Sequence, residues 1–420
     1  MKYIMTAVMW LGIHAMVIAE ERMTLSLPQA EKIFLEQNLD LIAREFDISI
    51  ADAEILQAKL WPNPELRLEF AAYDLEDKKF FQTGDRAQRM VELMQTVKLG
   101  GKIKKNVAVK EVEKEIAQVE FYDFMRELKN ILRVTFAQSY FQSQMVGIYE
   151  EGISPLSNLI QSYKDEYNKG NISKAELTRL RFLLTSLQKE QLDLKNELVE
   201  QNSELKLLLN LNPNVDLELV FDEERYGLNL LETINQEDYV AQAFENRFDY
   251  KATELEKKLA GAIIKAEKAE AIPDLEIGML YDRRGSFQAD YFGLQMNIDL
   301  PIFDRNQGNI AAAKMLYEQK QVELEASGKR IESETLQAYQ ILKNNEQLYF
   351  ELDKELGEDA SLVMQGIVDN FKLNHLSLLE FIDFFESYKD NYDQFLQVKY
   401  GLFDSMQQVN YATGKDFFTF

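Results

Sequence analysis

The residues that could carry chemistry are few in this chain. Its 420 residues include no cysteine and two histidines, His14 and His375, beside 71 acidic and 47 basic side chains. Without cysteine there is no thiolate nucleophile, disulfide, iron–sulfur ligand or zinc ribbon. The sequence also lacks a G-x-S-x-G elbow, a phosphate-binding loop and an H-E-x-x-H motif. We therefore expect no catalytic residue, no metal site and no cofactor, and we interpret His375 as an exposed residue at a turn.

Acidic side chains dominate the charge, and the formal net charge is −24. A nucleic-acid partner would require basic patches, so this balance argues against one. Two carboxylates, Glu380 and Asp383, are three residues apart and would share one face of a helix. We interpret most of the other acidic residues as the solvated faces of long helices, because 18 glycines and 7 prolines leave few turns.

The start of the chain is typical of a cleavable export signal. Met1 and Lys2 precede a mostly apolar run, and the small residue Ala19 precedes a polar segment. We expect residues 1–19 to be a signal peptide, so the mature chain would function outside the cytoplasm.

The remaining chain has the same plan twice, about 204 residues apart, as between Glu176 and Glu380. Alternating apolar residues predict strands, and leucines spaced by three and four predict coiled-coil helices. Repeat 1 would cover 20–210, with strands at about 65–74 and 88–98 and a helical hairpin over 102–210. Repeat 2 would cover 236–420, with strands at about 274–282 and 291–300 and a helical hairpin over 305–410. An irregular acidic segment, 211–235, connects them.

The strand at 291–300 shows the clearest alternation. The apolar face, which would face lipid, consists of Phe292, Leu294, Met296, Ile298 and Leu300. The polar face consists of Gln295, Asn297 and Asp299. A tilted strand of about ten residues is long enough to cross a bilayer. Four strands cannot close a barrel, so spanning a membrane would require several chains. The alternative is a soluble four-stranded sheet with one buried face.

Several short phrases resemble the TolC-type outer-membrane efflux proteins, a family that includes heavy-metal and drug channels. They are P-N-P-E-L at 62–66, L-G-G-K at 99–102, the turn at 167–173 and D-L-P-I-F-D-R-N at 299–306. The resemblance covers essentially all of the mature chain. It implies a mainly α fold with membrane β structure, built as a duplicated helix-strand-strand-helix-turn-helix. The long helices would form an α-helical coiled-coil barrel, and four strands per chain would contribute to a trimeric 12-stranded outer-membrane β-barrel.

The resemblance also implies a function. The chain would be the outer-membrane exit duct of a tripartite efflux system, a homotrimer in a Gram-negative outer membrane that extends into the periplasm. It would passively conduct metal cations or drugs. Its partners would be outer-membrane lipid, a periplasmic adaptor (membrane fusion protein) and an inner-membrane pump of the RND type, and 211–235 would belong to an equatorial girdle. A periplasmic coiled-coil adaptor or scaffold is the alternative, although an adaptor should carry one helical hairpin and this chain has two.

The same resemblance implies two functional sites. The hairpin tips would dock the adaptor through Gly170, Asn171, Ile172 and Ser173 in the first repeat and Asn374, His375, Leu376 and Ser377 in the second. Glu380 and Asp383 match acidic family positions that surround the periplasmic gate. The first repeat matches only in part, because Glu176 corresponds to Glu380 but Arg179 stands in the place of Asp383. Close like charges in a trimer are expected to raise the pKa of such carboxyl groups.

Overall fold

The computed structural model of the chain describes residues 22–74, 78–83, 87–222, 236–284, 288–351, 360–373 and 375–420. The expected signal peptide at 1–19, residues 223–235 of the connecting segment and Asn374 lie outside the described residues.

The first repeat is a long helical hairpin attached to two strands. Its elements are β1 (Arg22–Ser26), α1 (Leu27–Gln37), α2 (Leu39–Ala58), β2 (Glu65–Phe70), β3 (Tyr73–Asp74), β4 (Lys79–Phe80), β5 (Arg89–Val97), α3 (Lys102–Asn168) and α4 (Lys174–Leu208). Helix α3 begins after Gly101, whose φ of +70° is a conformation that glycine adopts without strain. Helix α4 runs back along α3 because its leucine stripe, which includes Leu180, Leu187 and Leu205, is buried.

The second repeat has the same plan. After β6 (Asp216–Val220) come α5 (Gln236–Asn246), α6 (Phe248–Glu270), β7 (Leu275–Arg284), β8 (Ala289–Ile298), α7 (Gln307–Glu351), α8 (Ala360–Lys372) and α9 (Leu378–Thr413). Helix α9 returns along the hairpin, and its aromatic seam, which includes Phe381, Phe385 and Phe395, is buried. Leu132 and Phe136 of α3 and Phe371 of α8 belong to the same apolar cluster, so the two hairpins share one core.

Four strands form one sheet, in the order β2-β5-β7-β8, and each neighbouring pair is antiparallel. The central pair joins the repeats, because β5 belongs to the first and β7 to the second, with Leu93 opposite Met279. Strands β3 and β4 form a separate short ribbon. In the part of the chain described here, no helix is both long and apolar enough to cross a membrane.

Three features depart from the sequence expectation. The helical stretch before β2 divides at Asn38, whose ψ of 121° ends α1. The Asn38 side chain caps α2 by accepting a 2.8 Å hydrogen bond from the Leu41 amide. The stretch before β7 divides at Arg247, whose ψ is also 121° but whose side chain does not cap α6. The connecting segment, expected to be irregular, contains β6, which pairs in parallel with β1.

Candidate functional site

One face of the four-stranded sheet is apolar and exposed. The strand register places Leu294 opposite Met279 and Met296 opposite Ile277. The apolar surface continues across β5 and β2, where Leu66 lies opposite Leu93. The side chains expected to face lipid are all exposed, with Leu294 at 83%: Phe292, Leu294, Met296, Ile298 and, just after β8, Leu300. A continuous apolar surface of this kind marks contact with lipid or with another protein.

The other face of the sheet is polar. It includes Gln295 and Asn297 of β8, and the Asn297 amide donates a 3.5 Å hydrogen bond to Glu276 of β7. Arg67 of β2 lies 3.9 Å from the carboxylate of Glu92 on β5. Carboxylates outnumber basic groups on this face, so a barrel closed from such sheets would have an acidic interior.

A buried lysine fixes the end of the sheet to the helices. Lys102, at the first position of α3 and 7% exposed, lies 2.8 Å from the carboxylate of Asp274 and 3.3 Å from that of Glu270. Asp274 also accepts a 2.7 Å bond from Lys98. These contacts join the first repeat to the second at the level where strands become helices.

The first hairpin tip is a tight, hydrogen-bonded turn. Gly170 has a φ of +84°, and the Asn171 amide donates to the carbonyl of Glu166 at 2.9 Å. Ser173 begins α4 as its N-cap and exchanges hydrogen bonds with Glu176, the reciprocal arrangement known as a capping box. Ile172 is half-buried in this turn.

The second tip repeats this construction. The His375 amide donates to the carbonyl of Asn370 at 2.9 Å, and Ser377 and Glu380 form the capping box of α9. Leu376 is half-buried and packs against the main apolar cluster. The apolar side chains that this tip exposes are instead Leu373 and Leu379, which sequence reasoning missed because neither belongs to the turn motif.

The expected gate residues, Glu380 and Asp383, are both exposed near this tip. The Ser377 hydroxyl and backbone amide hold the pKa of Glu380 below its usual 4.5. Ser173 lowers the pKa of Glu176 in the same manner, through its amide first and its hydroxyl second. Within one chain Glu380 is therefore a helix-capping carboxylate. Its expected role at a gate would require several chains to assemble, with their Glu380 side chains close together.

Comparisons with known proteins agree with this architecture. The outer-membrane channel CmeC of Campylobacter jejuni superimposes with a TM-score of 0.74 at 14% identity, over 93% of this chain and 86% of that one. CusC, described as forming a transmembrane channel, superimposes with a TM-score of 0.70 at 16% identity, over 93% of this chain and 92% of that one. The chain has the TolC-type channel fold. The fold class and the resemblance predicted from the sequence are thereby confirmed.

A relative by sequence is a metal-resistance protein. The cobalt-zinc-cadmium resistance protein CzcC of Cupriavidus metallidurans is 23% identical over 297 residues, which are 69% of this chain and 66% of that protein. No protein-family model matches the chain.

Close contacts join the two hairpins between the tips and the sheet. Gly152 of α3 packs against the ring of Phe385 on α9. Nearby, Glu190 of α4 accepts hydrogen bonds of 2.8 Å from both Tyr149 of α3 and Lys389 of α9. Burial alone would raise the pKa of Glu190, but these bonds hold it below its usual value. Three helices are thus held together by one carboxylate.

A second buried network lies farther from the tips. Arg133 of α3, 4% exposed, lies 2.7 Å from Asp416 in the segment after α9, and it also bonds to Glu31 of α1 and to Gln407 of α9. Burial alone would raise the pKa of Asp416, but the bonds from Arg133 and Lys129 hold it below its usual 3.8. We call the set Glu31, Arg133 and Asp416 the equatorial clamp.

Asn410 of α9, near the clamp, positions the last residues of the chain. Asn410 accepts hydrogen bonds from the amides of Phe417 and Phe418, at 2.8 and 3.0 Å, and donates to the carbonyl of Phe418 at 2.7 Å. The Phe420 ring lies 4.4 Å from that of Phe403. Sequence reasoning missed the clamp, although Arg133 is a lone charge in the mostly apolar run 131–136 and this was a signal for it. Across the described residues, no group of His, Cys, Asp and Glu side chains could hold a metal ion.

Proposed function

We propose that this chain is the outer-membrane exit duct of a tripartite efflux system. The observation that carries the proposal is the exposed apolar face of a four-stranded sheet attached to two long helical hairpins. A sheet that exposes such a face is suited to lipid, and the hairpins are suited to bridge the periplasm. The names of the relatives, which include outer-membrane channels and a metal-resistance protein, support the same function.

The duct would be a homotrimer. Strands β2 and β8 are the two edges of the sheet, and open edges are not tolerated in lipid. Because the strands alternate in direction, β8 of one copy would lie antiparallel to β2 of the next. Three copies would supply the 12 strands that the family resemblance implies.

The test is the behaviour of the full chain in membranes. Extracted from outer membranes in mild detergent, the protein should run as a trimer and form water-filled channels in planar bilayers. As a matched pair, Leu294→Arg should prevent channel formation and Gln295→Arg, on the polar face, should permit it. Recovery of a monomer in the soluble periplasmic fraction would refute the proposal.

The tips would dock a periplasmic adaptor that belongs to an RND-type inner-membrane pump. The supporting observation is that each tip leads into a helix closed by a capping box and carries exposed residues. We expect glutamate at Ile172 and Leu376 together to abolish export while the trimer persists. Phe182→Glu, at an exposed position of α4 away from the turn, is the matched control. Export that survives the double change would place docking elsewhere.

The cargo would be cationic, either metal ions or basic drugs. In a trimer, Glu380 and Asp383 would place six carboxylates around the periplasmic entrance, an arrangement that favours cations. The test is ion selectivity in single-channel recordings after Glu380→Gln with Asp383→Asn. Glu176→Gln is the control, because Glu176 has the same capping role in the first repeat. Equal effects of the two changes would mean that Glu380 acts only as a helix cap.

A further inference from the structure

A cavity of about 340 Å³ opens between α3, α4 and α9, on the part of the hairpins between the Glu190 contacts and the equatorial clamp. Its floor is apolar and aromatic. Phe141 and Met145 of α3 and Leu396 of α9 are buried there, and the Phe141 ring lies 6.1 Å from that of Tyr400 on α9. A cavity of this size and lining suits a small organic molecule.

The rest of the lining is polar and consists of amides and carboxylates. They are Gln138, Gln142, Glu197, Gln201, Asp393 and Gln397. The amide of Gln142 donates to Glu197 at 2.7 Å, and that of Gln397 donates to Asp393 at 2.6 Å. An ionised carboxylate has about four acceptor positions, so both acidic groups keep acceptor capacity for a further donor. The polar lining therefore favours a molecule that donates hydrogen bonds.

The cavity is also negatively charged. Among the described residues that line it, Glu197 and Asp393 carry charge and none is basic. Lysines close to these two in the sequence pair with other carboxylates. The pairs are Lys195–Glu150, at 2.9 Å, and Lys389–Glu190, at 2.8 Å. Lys399 lies over the ring of Phe395, 4.4 Å from its centroid.

Asp393 is the carboxylate for which a ligand of positive charge would matter most. Its burial, and second the neighbouring Asp390, raise its pKa above the usual 3.8, and Lys389 and Gln397 offset part of this rise. The ionised form is therefore less favourable here than in water. A cation placed beside a partly buried carboxylate stabilises that form.

We propose that this cavity binds an amphipathic organic cation, with its rings on the apolar floor and its positive group at Asp393 and Glu197. The faces of Phe141 and Tyr400 would add attraction for the cation. A metal ion is a poor occupant, because the apolar floor supplies no oxygen ligands. One chain forms the whole site, so the proposal goes beyond the duct and does not depend on it. The ligand would contact both hairpins.

The test is binding of ethidium, an aromatic cation, to the full chain in phosphatidylcholine nanodiscs, measured by ethidium fluorescence. Since a hydrogen bond to a charged group contributes about tenfold or more to affinity, Asp393→Asn should weaken binding about tenfold. The new amide keeps an oxygen that accepts from Gln397. Asp390→Asn is the matched control, because Asp390 is outside the cavity and its side chain is 65% exposed. It should leave the affinity within about twofold of the parent.

Two measurements on the parent chain decide the question even if a variant does not fold. Phenanthridine, the uncharged ring system of ethidium, should compete about tenfold more weakly than ethidium binds. Bound ethidium should slow hydrogen exchange of the amides at 138–145 and 393–400 and leave both hairpin tips unchanged.

Four results would overturn the assignment. They are binding no greater than to empty nanodiscs, competition by phenanthridine as tight as ethidium binding, equal losses with Asp393→Asn and Asp390→Asn, and protection from exchange outside the cavity. Channel formation by the parent chain without ethidium tests the duct separately. Failure of the cation site would therefore not be mistaken for failure of the duct.

Discussion

Gly152 offers a direct measurement of how tightly the two hairpins pack. It lies inside α3, 16 residues before the helix ends, and a Cβ added there would be 2.5 Å from Cζ of Phe385, which is 2% exposed. Gly147, in the same helix, is a matched control, because a Cβ there meets no heavy atom of the described residues within 4 Å. Both glycines lie in the backbone of α3, so the two substitutions differ in the atoms that surround the added Cβ.

The expected magnitudes follow from two opposing effects. Alanine is favoured over glycine inside a helix by about 1 kcal/mol, so Gly147→Ala should stabilise the chain by about that amount. At Gly152 the same gain is opposed by overpacking against Phe385, which costs about 1–3 kcal/mol. Gly152→Ala should therefore be less stable than Gly147→Ala by about 1–3 kcal/mol.

The assay is denaturant unfolding of the detergent-solubilised chain, followed by helical circular dichroism. Phe385→Leu combined with Gly152→Ala should recover part of the difference, because the smaller side chain leaves room for the added Cβ. A double-mutant cycle built from these variants isolates the coupling of the two positions. If Gly152→Ala is as stable as Gly147→Ala, the hairpins are not close-packed at this point and our account of their joint is wrong.

Three further expectations concern the sheet, the clamp and the tips. Leu294→Arg should cost about 2–4 kcal/mol of folding free energy in lipid vesicles if the residue is near mid-bilayer. Gln295→Arg should cost little, and equal costs would mean that our assignment of the two faces is wrong. The folded state lowers the pKa of Asp416, so the stability that this group contributes should be complete above about pH 5 and lost as the pH falls through and below 3.8. Asp416→Asn should flatten this acid dependence in unfolding titrations, and an unchanged profile would exclude the clamp as its source. Ser377→Ala should destabilise the chain by about 1 kcal/mol through loss of the α9 cap, and thermal unfolding without a shift would contradict that role.

Sequence reasoning succeeded where the signal is periodic and local. The alternation from Tyr291 to Leu300 predicts β8 and separates its two faces, because successive side chains of a strand point to opposite sides. Leucines at three- and four-residue spacing predict α4 and the stripe that it buries. The duplication strengthens these predictions, because the same order of elements is predicted in each repeat.

The parts of the fold and of the candidate site that sequence reasoning missed depend on contacts between distant parts of the chain. Arg133 and Asp416 are 283 residues apart, and Glu190 and Lys389 are 199 apart, so no local window contains both partners. The break at Asn38 is also tertiary in part, because its side chain donates to the carbonyl of Leu208 on α4. At the tips, the sequence locates the turns and does not indicate that Leu376 packs inward.

The equatorial clamp has a mechanical consequence. Arg133 is fixed to α1 and to the segment after α9, whereas α3 continues for another 35 residues to Asn168. At about 1.5 Å per residue, this arm is about 50 Å long. The clamp is then a fulcrum, and a rotation of one degree about it displaces the tip by about 1 Å. A tilt of this arm by a few degrees about the clamp would therefore move the tip by several ångströms.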